Sequence, residues 1–302
     1  MTSAVVFAYH NVGVRCLKTL LAHGVKIALA VTHADAAGET IWFGSVAATA
    51  REAGIDVVTP DDPNAADFVQ RIGALRADFL FSFYYRRMLG EGLLGLAPRG
   101  ALNMHGSLLP KFRGRAPVNW AIIKGETETG ASLHYMSAKP DAGAVVDQQA
   151  VPILPDDTAI EVFDKVTWAA EIVLHRSLPG LIAGTAPAHV QDLTRGSYFG
   201  GRRPEDGRID WHMSAAEVHN LVRGVAPPYP GAFFTLGGKG VRVLRTKHSE
   251  LRDAAPNAPR LRCEHGEVYA ICGDGHALRL LAFEIDGKAA DADGQEHAHH
   301  QF

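Results

Sequence analysis

Cysteine is scarce in this 302-residue chain, which carries only Cys16, Cys263 and Cys272. The three lie far apart and match no CxxC or Cys/His ligand pattern, so neither a disulfide framework nor a zinc site is indicated. No stretch reaches the ~18 consecutive apolar residues that a membrane span needs, and the N-terminus lacks the basic start of a signal peptide. We therefore expect a cytoplasmic protein without a metal.

Positive charge is not in excess either, because the formal net charge is -3 and neither half of the chain is basic. A nucleic-acid binder is expected to carry a surplus of Lys and Arg. Glycine-rich nucleotide motifs are also missing. No GxGxxG follows the first apolar run, and the Gly-Gly-Lys-Gly stretch at 237–240 lacks the first glycine and the Ser/Thr of a P-loop. A bound dinucleotide cofactor is therefore not expected.

The first half of the chain alternates strand-like apolar runs with helical patterns. The strand-like runs are 5–9, 26–31, 55–58, 78–83 and 100–104, and the helical patterns are 14–23, 44–53 and 68–75. This alternation predicts an α/β domain with a Rossmann-like, mostly parallel sheet and helices on both faces. Such sheets bind ligands at the carboxyl ends of their strands.

The second half changes in texture. Strand-like runs at 131–136 and 144–151 precede a long helix with a Thr158–Glu161 capping box, which is predicted to end near Arg176, before Pro179. Short strands are predicted after a helix at 215–222, namely 232–235, 241–244, 267–272 and 278–283. Glycine-containing turns between them predict a small antiparallel β-barrel of the OB-like type. The predicted domains are 1–191 and 208–302, joined by a linker at 192–207, and the end from Asp291 to Phe302 is predicted to be frayed.

Three polar residues on two loops are candidates for catalysis. Asn103 and His105 stand at the end of the fifth strand, and Asp141 lies on a Pro-Asp-Ala-Gly corner. An amide can stabilise an oxyanion, an imidazole moves protons near neutral pH, and the corner would hold the carboxylate rigidly. Spacing alone equally allows a strand-end Asn, a surface His and a turn Asp. No Ser, Cys or Lys nucleophile accompanies the set, so an acyl-enzyme is not indicated.

Two further stretches each allow two interpretations. Arg113 and Arg115 flank Gly114 ahead of Pro117, a pattern that suits an anion site or a solvated basic loop. The aromatic residues at 83–85 could stack on a flat heterocycle or belong to the core.

The motifs together resemble a known family. The run Asn103-x-His105-Gly-Ser107-Leu-Leu-Pro110, with Arg113-Gly-Arg115-Ala-Pro117 and Asp141-Ala-Gly143 after it, is similar to the signature of 10-formyltetrahydrofolate-dependent formyltransferases. The stretches FAYHNVG, THADAAGETIWFGSVA, FSFYYR, NWAIIKGETETG and YFGGRRPEDGRIDWH resemble the branch that formylates UDP-4-amino-4-deoxy-L-arabinose. The resemblance covers nearly the whole chain.

The resemblance implies a function and a set of site residues. It implies formyl transfer to the 4-amine of that UDP-amino-pentose, in lipid A (lipopolysaccharide) modification and polymyxin resistance, with Asn103, His105 and Asp141 as catalytic residues. The folate contacts that it implies are Arg87, Met88, Leu89, Arg115, Ser137, Ala138, Lys139, Pro140 and Asp141. Position in the chain also makes Tyr9, Arg202 and Arg203 candidates for contact with the nucleotide sugar.

The resemblance also bears on partners and alternatives. A fused decarboxylating dehydrogenase would need some 300 further residues, so we expect a stand-alone formyltransferase served by separate decarboxylase and aminotransferase enzymes. One alternative is a dTDP-linked 3- or 4-amino hexose as the acceptor. Another is methionyl-tRNA formylation, although the place of the usual basic insertion holds THADAAGETIWFG, without Lys or Arg. The third is a non-catalytic module that binds folate or nucleotide.

Overall fold

The computed structural model describes residues 1–35, 38, 40–253, 258–290 and 300–301. The chain divides into two units, and each has its own hydrophobic core. The segments of the first unit are Met1–Pro117, Thr129–Val151 and Asp164–Phe199, and those of the second are Val118–Glu128, Pro152–Phe163 and Gly200–Phe302.

The first unit is built on a seven-stranded sheet. Its strands are β1 (Ser3–Ala8), β2 (Lys26–Val31), β3 (Val57–Val58), β4 (Phe79–Phe83), β5 (Ala101–His105), β7 (Glu128–Tyr135) and β8 (Val145–Pro152), in the order β3-β2-β1-β4-β5-β7-β8. β1 to β5 are mutually parallel, and β7 runs antiparallel to β5. The predicted mostly parallel α/β sheet is confirmed.

Helices connect the parallel strands, as the alternating pattern requires. They are α1 (His10–Ala22), α2 (Val46–Glu52), α3 (Ala66–Ala74) and α4 (Glu91–Leu94), and a two-residue strand, β6 (Arg113–Gly114), and α5 (Pro117–Ile123) follow β5. α1 begins four residues earlier than predicted, because Tyr9 is still extended and His10 turns the chain directly after β1 with a φ of 68°. Among the described residues, no helix combines the length and the hydropathy that a membrane crossing needs.

The long helix α6 (Ala159–Ala183) differs from its prediction at one end. The Glu161 half of the predicted Thr158–Glu161 capping box forms, because the Glu161 carboxylate accepts from the Thr158 amide at 2.8 Å and from the Thr158 hydroxyl at 2.7 Å. The prediction that Pro179 ends the helix near Arg176 is wrong, because the helix passes through the proline. Leu178 and Leu181 are buried on either side of it, and their burial offsets the lost backbone hydrogen bond.

The second unit contains the helix α7 (Ala215–Gly224) and an antiparallel sheet. The strands of this sheet are β10 (Ala232–Leu236), β11 (Lys239–Arg252), β12 (Arg260–Glu264), β13 (Glu267–Ile271), β14 (His276–Ile285), β15 (Lys288–Ala290) and β16 (His300–Gln301). The order is β10-β11-β14-β13-β12-β16, with β15 beside β14, consistent with the predicted barrel-like domain. Gly237 and Gly238 join β10 to β11, and both have the positive φ that a tight hairpin turn requires.

The sequence predicts two irregular segments, a linker and a frayed C-terminal end. The segment predicted as a linker, 192–207, contains two short 3₁₀ turns and a strand, β9 (Tyr198–Phe199), which pairs with β6. The predicted frayed end, from Asp291 to Phe302, lies outside the described residues apart from β16, which pairs with β12.

A buried histidine, His219 on α7, makes the stability of the second unit depend on pH. Its Nδ1 lies 2.8 Å from Thr246 Oγ1 and its Nε2 lies 3.1 Å from the Pro155 carbonyl oxygen. Burial lowers the pKa of His219 below its ordinary value, and the Pro155 carbonyl offsets this only in part. Just below pH ~6.5 the unfolded chain therefore binds more protons than the folded chain, and stability falls as the pH falls through this window.

When the pH is lowered from 7.5 to 5.5, we expect the melting temperature of His219→Gln to fall less than that of the unmodified protein. Glutamine does not titrate, so this part of the pH dependence disappears. His212→Gln, at an exposed position of the same unit, is the matched control. Melting curves at the two pH values measure the effect, and equal losses in all three proteins would contradict it.

Candidate active site

Strained backbone marks several loops that follow strands of the sheet. Tyr84 directly follows β4 and His10 lies two residues after β1, and both have φ in the left-handed region. Phe112, Ala116 and Asp141, in the loops after β5 and β7, share this conformation. Non-glycine residues adopt it at a cost and concentrate at functional sites, so these loops are where a site is expected.

Asn103 and His105 project from the same face of β5, because side chains two residues apart share one face of a strand. β5 is held between β4 and β7, and the register places Asn103 opposite His134 and His105 opposite Ser132. His105 is buried, whereas Asn103 is only partly buried. The sheet therefore sets a fixed pair of polar side chains at its carboxyl edge.

Asp141 reaches this pair from the turn after β7. Its Oδ1 lies 3.5 Å from His105 Nδ1 and 3.5 Å from His134 Nε2, and its Oδ2 accepts a hydrogen bond from the Gly114 amide at 2.8 Å. Thus Asn103, His105 and Asp141, predicted from two separate loops, meet in one cluster.

Only glycine fits at position 114. Gly114 has a φ of 99°, and a Cβ there would lie 2.1 Å from the Phe199 carbonyl oxygen. The close pairing of β6 with β9 therefore fixes the amide that holds the Asp141 carboxylate.

His105 has a defined proton arrangement. Its Nε2 lies 2.8 Å from the Phe112 carbonyl oxygen, which can only accept, so Nε2 carries the proton of the neutral ring. Nδ1, which faces Asp141, is then the nitrogen that can accept a proton. Burial lowers the pKa of His105 below its ordinary value, although Asp141 and the Phe112 carbonyl oppose this. The ring is therefore poised as a neutral base at physiological pH.

Asp141 remains a carboxylate beside this ring. Burial alone would raise the pKa of its carboxyl, but positive charge on His105 and the hydrogen bond from the Gly114 amide outweigh burial and hold that pKa below its usual range. A proton gained by His105 Nδ1 would consequently be stabilised by a fixed negative charge.

His134 is a part of the cluster that the sequence did not reveal. Its Nδ1 lies 2.8 Å from the Tyr135 carbonyl oxygen and therefore carries the proton of the neutral ring, which leaves Nε2 to accept from the Asn103 amide at 3.1 Å. This contact orients the Asn103 amide group. The signal available in the sequence was the position of His134 in a strand-like run, but which strand it would pair with was not readable.

Gln191 is the second residue that sequence reasoning missed. Its Nε2 donates to the carbonyl oxygens of Asp141, at 3.0 Å, and Gly143, at 2.6 Å. Gln191 therefore fixes the backbone of the turn that presents the carboxylate. It precedes the segment predicted as a linker, where no pattern pointed to a role.

The residues proposed to contact folate are spread around this edge of the sheet. Met88 is 61% exposed and Leu89 is buried, and the Met88 carbonyl accepts from Asn64 at 3.0 Å. Arg87 donates to the Pro60 carbonyl at 3.1 Å, and Arg115 donates to the Arg86 carbonyl at 2.9 Å. The remaining predicted contacts lie at the exposed or partly exposed turn before Asp141, namely Ser137, Ala138, Lys139 and Pro140.

The candidates for nucleotide-sugar contact fall in different units. In the first unit, the Tyr9 hydroxyl donates to Asp35 at 2.8 Å, and the Arg86 guanidinium lies 4.5 Å above the Tyr9 ring. In the second unit, Arg202 stacks on Trp120 at 4.7 Å, and the Arg203 amide donates to Asp206 at 2.7 Å. Of the aromatic residues at 83–85, for which both stacking on a heterocycle and a place in the core were open, Phe83 is fully buried and Tyr85 lies in the hydrophobic core of the first unit.

Family models match both halves of the chain. The model described as formyl transferase covers residues 14–178, and the model described as formyl transferase, C-terminal domain, covers residues 202–294.

Within the described residues, no group of three or more His, Cys, Asp or Glu side chains is arranged to hold a metal ion.

Solved structures share the fold at low sequence identity. An N-formyltransferase from Helicobacter canadensis, in complex with folinic acid and dTDP-3-aminofucose, is 18% identical with a TM-score of 0.73, over 93% of this chain and 99% of that chain. The sugar 3N-formyl transferase WlaRD, with dTDP and 5-N-formyl-THF, is 18% identical with a TM-score of 0.74, over 97% and 98%. A 4-N formyltransferase from Francisella tularensis is 17% identical with a TM-score of 0.62, over 77% and 92%.

Proposed function

The chain belongs to the formyl transferase family, and from this premise we propose that it moves a formyl group from 10-formyltetrahydrofolate to the 4-amine of UDP-4-amino-4-deoxy-L-arabinose. The observation that carries the proposal is the cluster of Asn103, His105 and Asp141, with His134 behind it. The ligands named for two structural neighbours, a formyl-folate and a dTDP nucleotide or nucleotide sugar, support the two classes of substrate. The proposed place of the reaction is lipid A modification, and with it polymyxin resistance.

Asn103 supplies a hydrogen-bond donor to the oxygen of the formyl group that is transferred. When a neutral amine adds to a formyl carbon, the formyl oxygen gains negative charge. The Asn103 amide group has two N–H bonds, and His134 Nε2 accepts one of them at 3.1 Å. The other is available to the oxyanion, and because the amide is already oriented, little reorganisation is needed at the moment of reaction.

His105 and Asp141 manage the proton. The amine that has attacked must lose a proton, and the departing folate nitrogen must gain one. Nδ1 of the neutral His105 ring can take the first proton, and the Asp141 carboxylate at 3.5 Å stabilises the imidazolium until the proton is passed on. Because Nε2 is fixed on the Phe112 carbonyl, the ring does not rotate away between the two transfers.

The loop after β4 has features that suit a flat, polar heterocycle. Tyr85 is buried and its hydroxyl has no hydrogen-bond partner in the described structure, while its ring stacks on His33 with centroids 4.1 Å apart. Asn64 holds the Met88 carbonyl and the Gly90 amide, which orders the backbone of the neighbouring loop. A buried orphan hydroxyl next to ordered backbone is what a pterin ring would satisfy. Arg87, Leu89, Arg115 and the turn at 137–141 are the further contacts that we propose.

A formylation assay tests the proposal. Purified protein and 10-formyltetrahydrofolate are incubated with UDP-4-amino-4-deoxy-L-arabinose and with dTDP-linked 3- and 4-amino hexoses, and the products are identified by mass. We expect the UDP-amino-pentose to be formylated with the highest kcat/KM. If a dTDP-linked sugar is preferred, the proposed formyl transfer stands and the proposed acceptor is wrong.

Two rival functions give different results. A methionyl-tRNA formyltransferase would formylate charged initiator tRNA and leave every sugar unmodified, and it would bind tRNA with a strong dependence on salt. A non-catalytic binding module would turn over none of the acceptors. Either result would overturn the proposal.

We predict that His134 acts as a positioning residue for Asn103. His134→Leu should lower kcat about 10- to 100-fold with little change in KM, because the Asn103 amide loses the acceptor that orients it and misplaced catalytic groups cost this much. His134→Gln keeps a polar acceptor and should recover part of the rate. Steady-state kinetics of both variants measure the split, and equal losses in the two variants, or a change confined to KM, would refute the role.

A further inference from the structure

Arg113 lies between the two backbone groups that hold the catalytic pair. The carbonyl of Phe112, on one side, accepts from His105 at 2.8 Å. The amide of Gly114, on the other side, donates to Asp141 at 2.8 Å. The backbone amide of Arg113 itself is fixed by the Ser197 carbonyl at 3.0 Å. The residue is therefore anchored rigidly, one position from each contact on which the proposed chemistry depends.

The side chain of Arg113 is buried without a partner. It is 8% exposed, and its Nε is shielded from solvent with no hydrogen-bond partner. Within the described residues, the guanidinium forms neither an ion pair nor a hydrogen bond. Arg115, two residues away, is exposed and donates to a backbone carbonyl. The two arginines of the motif therefore differ in kind.

A buried guanidinium without a counter-charge is unfavourable, because desolvation of the cation is not offset by any attraction. Proteins keep such groups rarely, and an unsatisfied buried donor calls for a ligand or another specific cause. A guanidinium is planar and presents paired donors to two oxygens of one phosphate or carboxylate. Both substrates of the proposed reaction carry such groups, a diphosphate in the nucleotide sugar and carboxylates in the folate.

We infer that Arg113 is an anion-binding residue of the substrate site. A phosphate or carboxylate oxygen of a bound substrate is then the hydrogen-bond partner that the protein itself does not provide. The inference rests on the proposed function for the identity of the two substrates. It assigns to Arg113 the binding of a substrate that reacts beside His105 and Asp141. The negative charge of the anion then balances the positive charge of the Arg113 guanidinium.

The test compares Arg113→Met, which removes the charge at similar volume, with Arg113→Lys, which keeps a charge without the planar fork. Arg51→Gln, at an exposed position on α2, is the control for loss of one positive charge. Binding of inorganic pyrophosphate, UDP and folinic acid is measured by calorimetry, and the melting temperature of each protein is measured without ligand.

We expect the ligand-free melting temperature of Arg113→Met to equal or exceed that of the unmodified protein, because no bond of the fold is lost. Its affinity should fall at least tenfold for one class of ligand, with Arg113→Lys intermediate and Arg51→Gln unchanged. Loss for pyrophosphate and UDP identifies a phosphate, and loss for folinic acid identifies a carboxylate.

Two results would overturn the inference. One is affinity of Arg113→Met within about twofold of the unmodified protein for all three ligands. The other is a lower ligand-free melting temperature in both Arg113 variants, which would mean that the guanidinium is bonded within the fold. If pyrophosphate binds through Arg113 but neither UDP nor folinic acid binds, the anion site is supported and the proposed function is refuted. An unmodified protein that binds none of the three would remove both.

Discussion

His105→Asn should lower kcat about 10³-fold, which corresponds to about 4 kcal/mol of lost transition-state stabilisation. Asparagine is close in size and keeps a polar head at the Phe112 carbonyl, but it cannot accept a proton from the attacking amine. The loss should appear in kcat far more than in the KM of either substrate, because His105 is buried and the role proposed for it is proton transfer, not substrate binding.

Single-turnover kinetics with saturating substrates isolate this step from product release. His212→Asn, at an exposed position of the second unit, provides a histidine control that should retain the full rate. A His105→Asn protein within about threefold of the unmodified kcat would exclude His105 as the group that moves the proton.

Asn103→Ala should lower kcat about 10²- to 10³-fold, the effect typical of removing one preorganised donor from an oxyanion. Asn103→Asp is the sharper variant, because it is nearly isosteric. A carboxylate would face the developing negative charge, and it would present oxygen atoms to His134 Nε2 in place of an N–H donor. We therefore expect Asn103→Asp to be at least as impaired as Asn103→Ala.

The order of the two variants separates two explanations for Asn103. If its role were to fill space on β5, the aspartate variant would retain most of the activity and the alanine variant would not. Melting temperatures of both proteins show whether either loss reflects unfolding. Higher activity in Asn103→Asp than in Asn103→Ala would contradict the donor role.

The sequence indicated much of the site because its residues stand at predictable places on strands. Asn103 and His105 lie two positions apart at the end of an apolar run, so a common face and a common edge of the sheet followed from strand geometry alone. Asp141 lies on a corner flanked by Pro140 and Gly143, which predicted a rigid presentation. That the two loops meet followed only from the family resemblance.

The features that could not be predicted from the sequence depend on contacts between distant segments of the chain. His134 became part of the site because β7 runs antiparallel to β5 in one particular register, and a shift by one residue would have turned His134 to the opposite face. Gln191 acts through backbone carbonyls, which carry no residue-specific signal. The continuation of α6 through Pro179 depended in the same way on burial of Leu178 and Leu181, a tertiary effect that local propensity does not contain.

The most direct test of the account is a crystal structure of the protein with 5-formyltetrahydrofolate, the stable isomer of the proposed donor. We predict electron density for the ligand beside β5, with its formyl oxygen within hydrogen-bond distance of Asn103 Nδ2 and its formyl group next to His105 Nδ1. A folate bound elsewhere on the molecule, or one whose formyl group faces away from Asn103, His105 and Asp141, would contradict the assignment of this cluster as the place of formyl transfer.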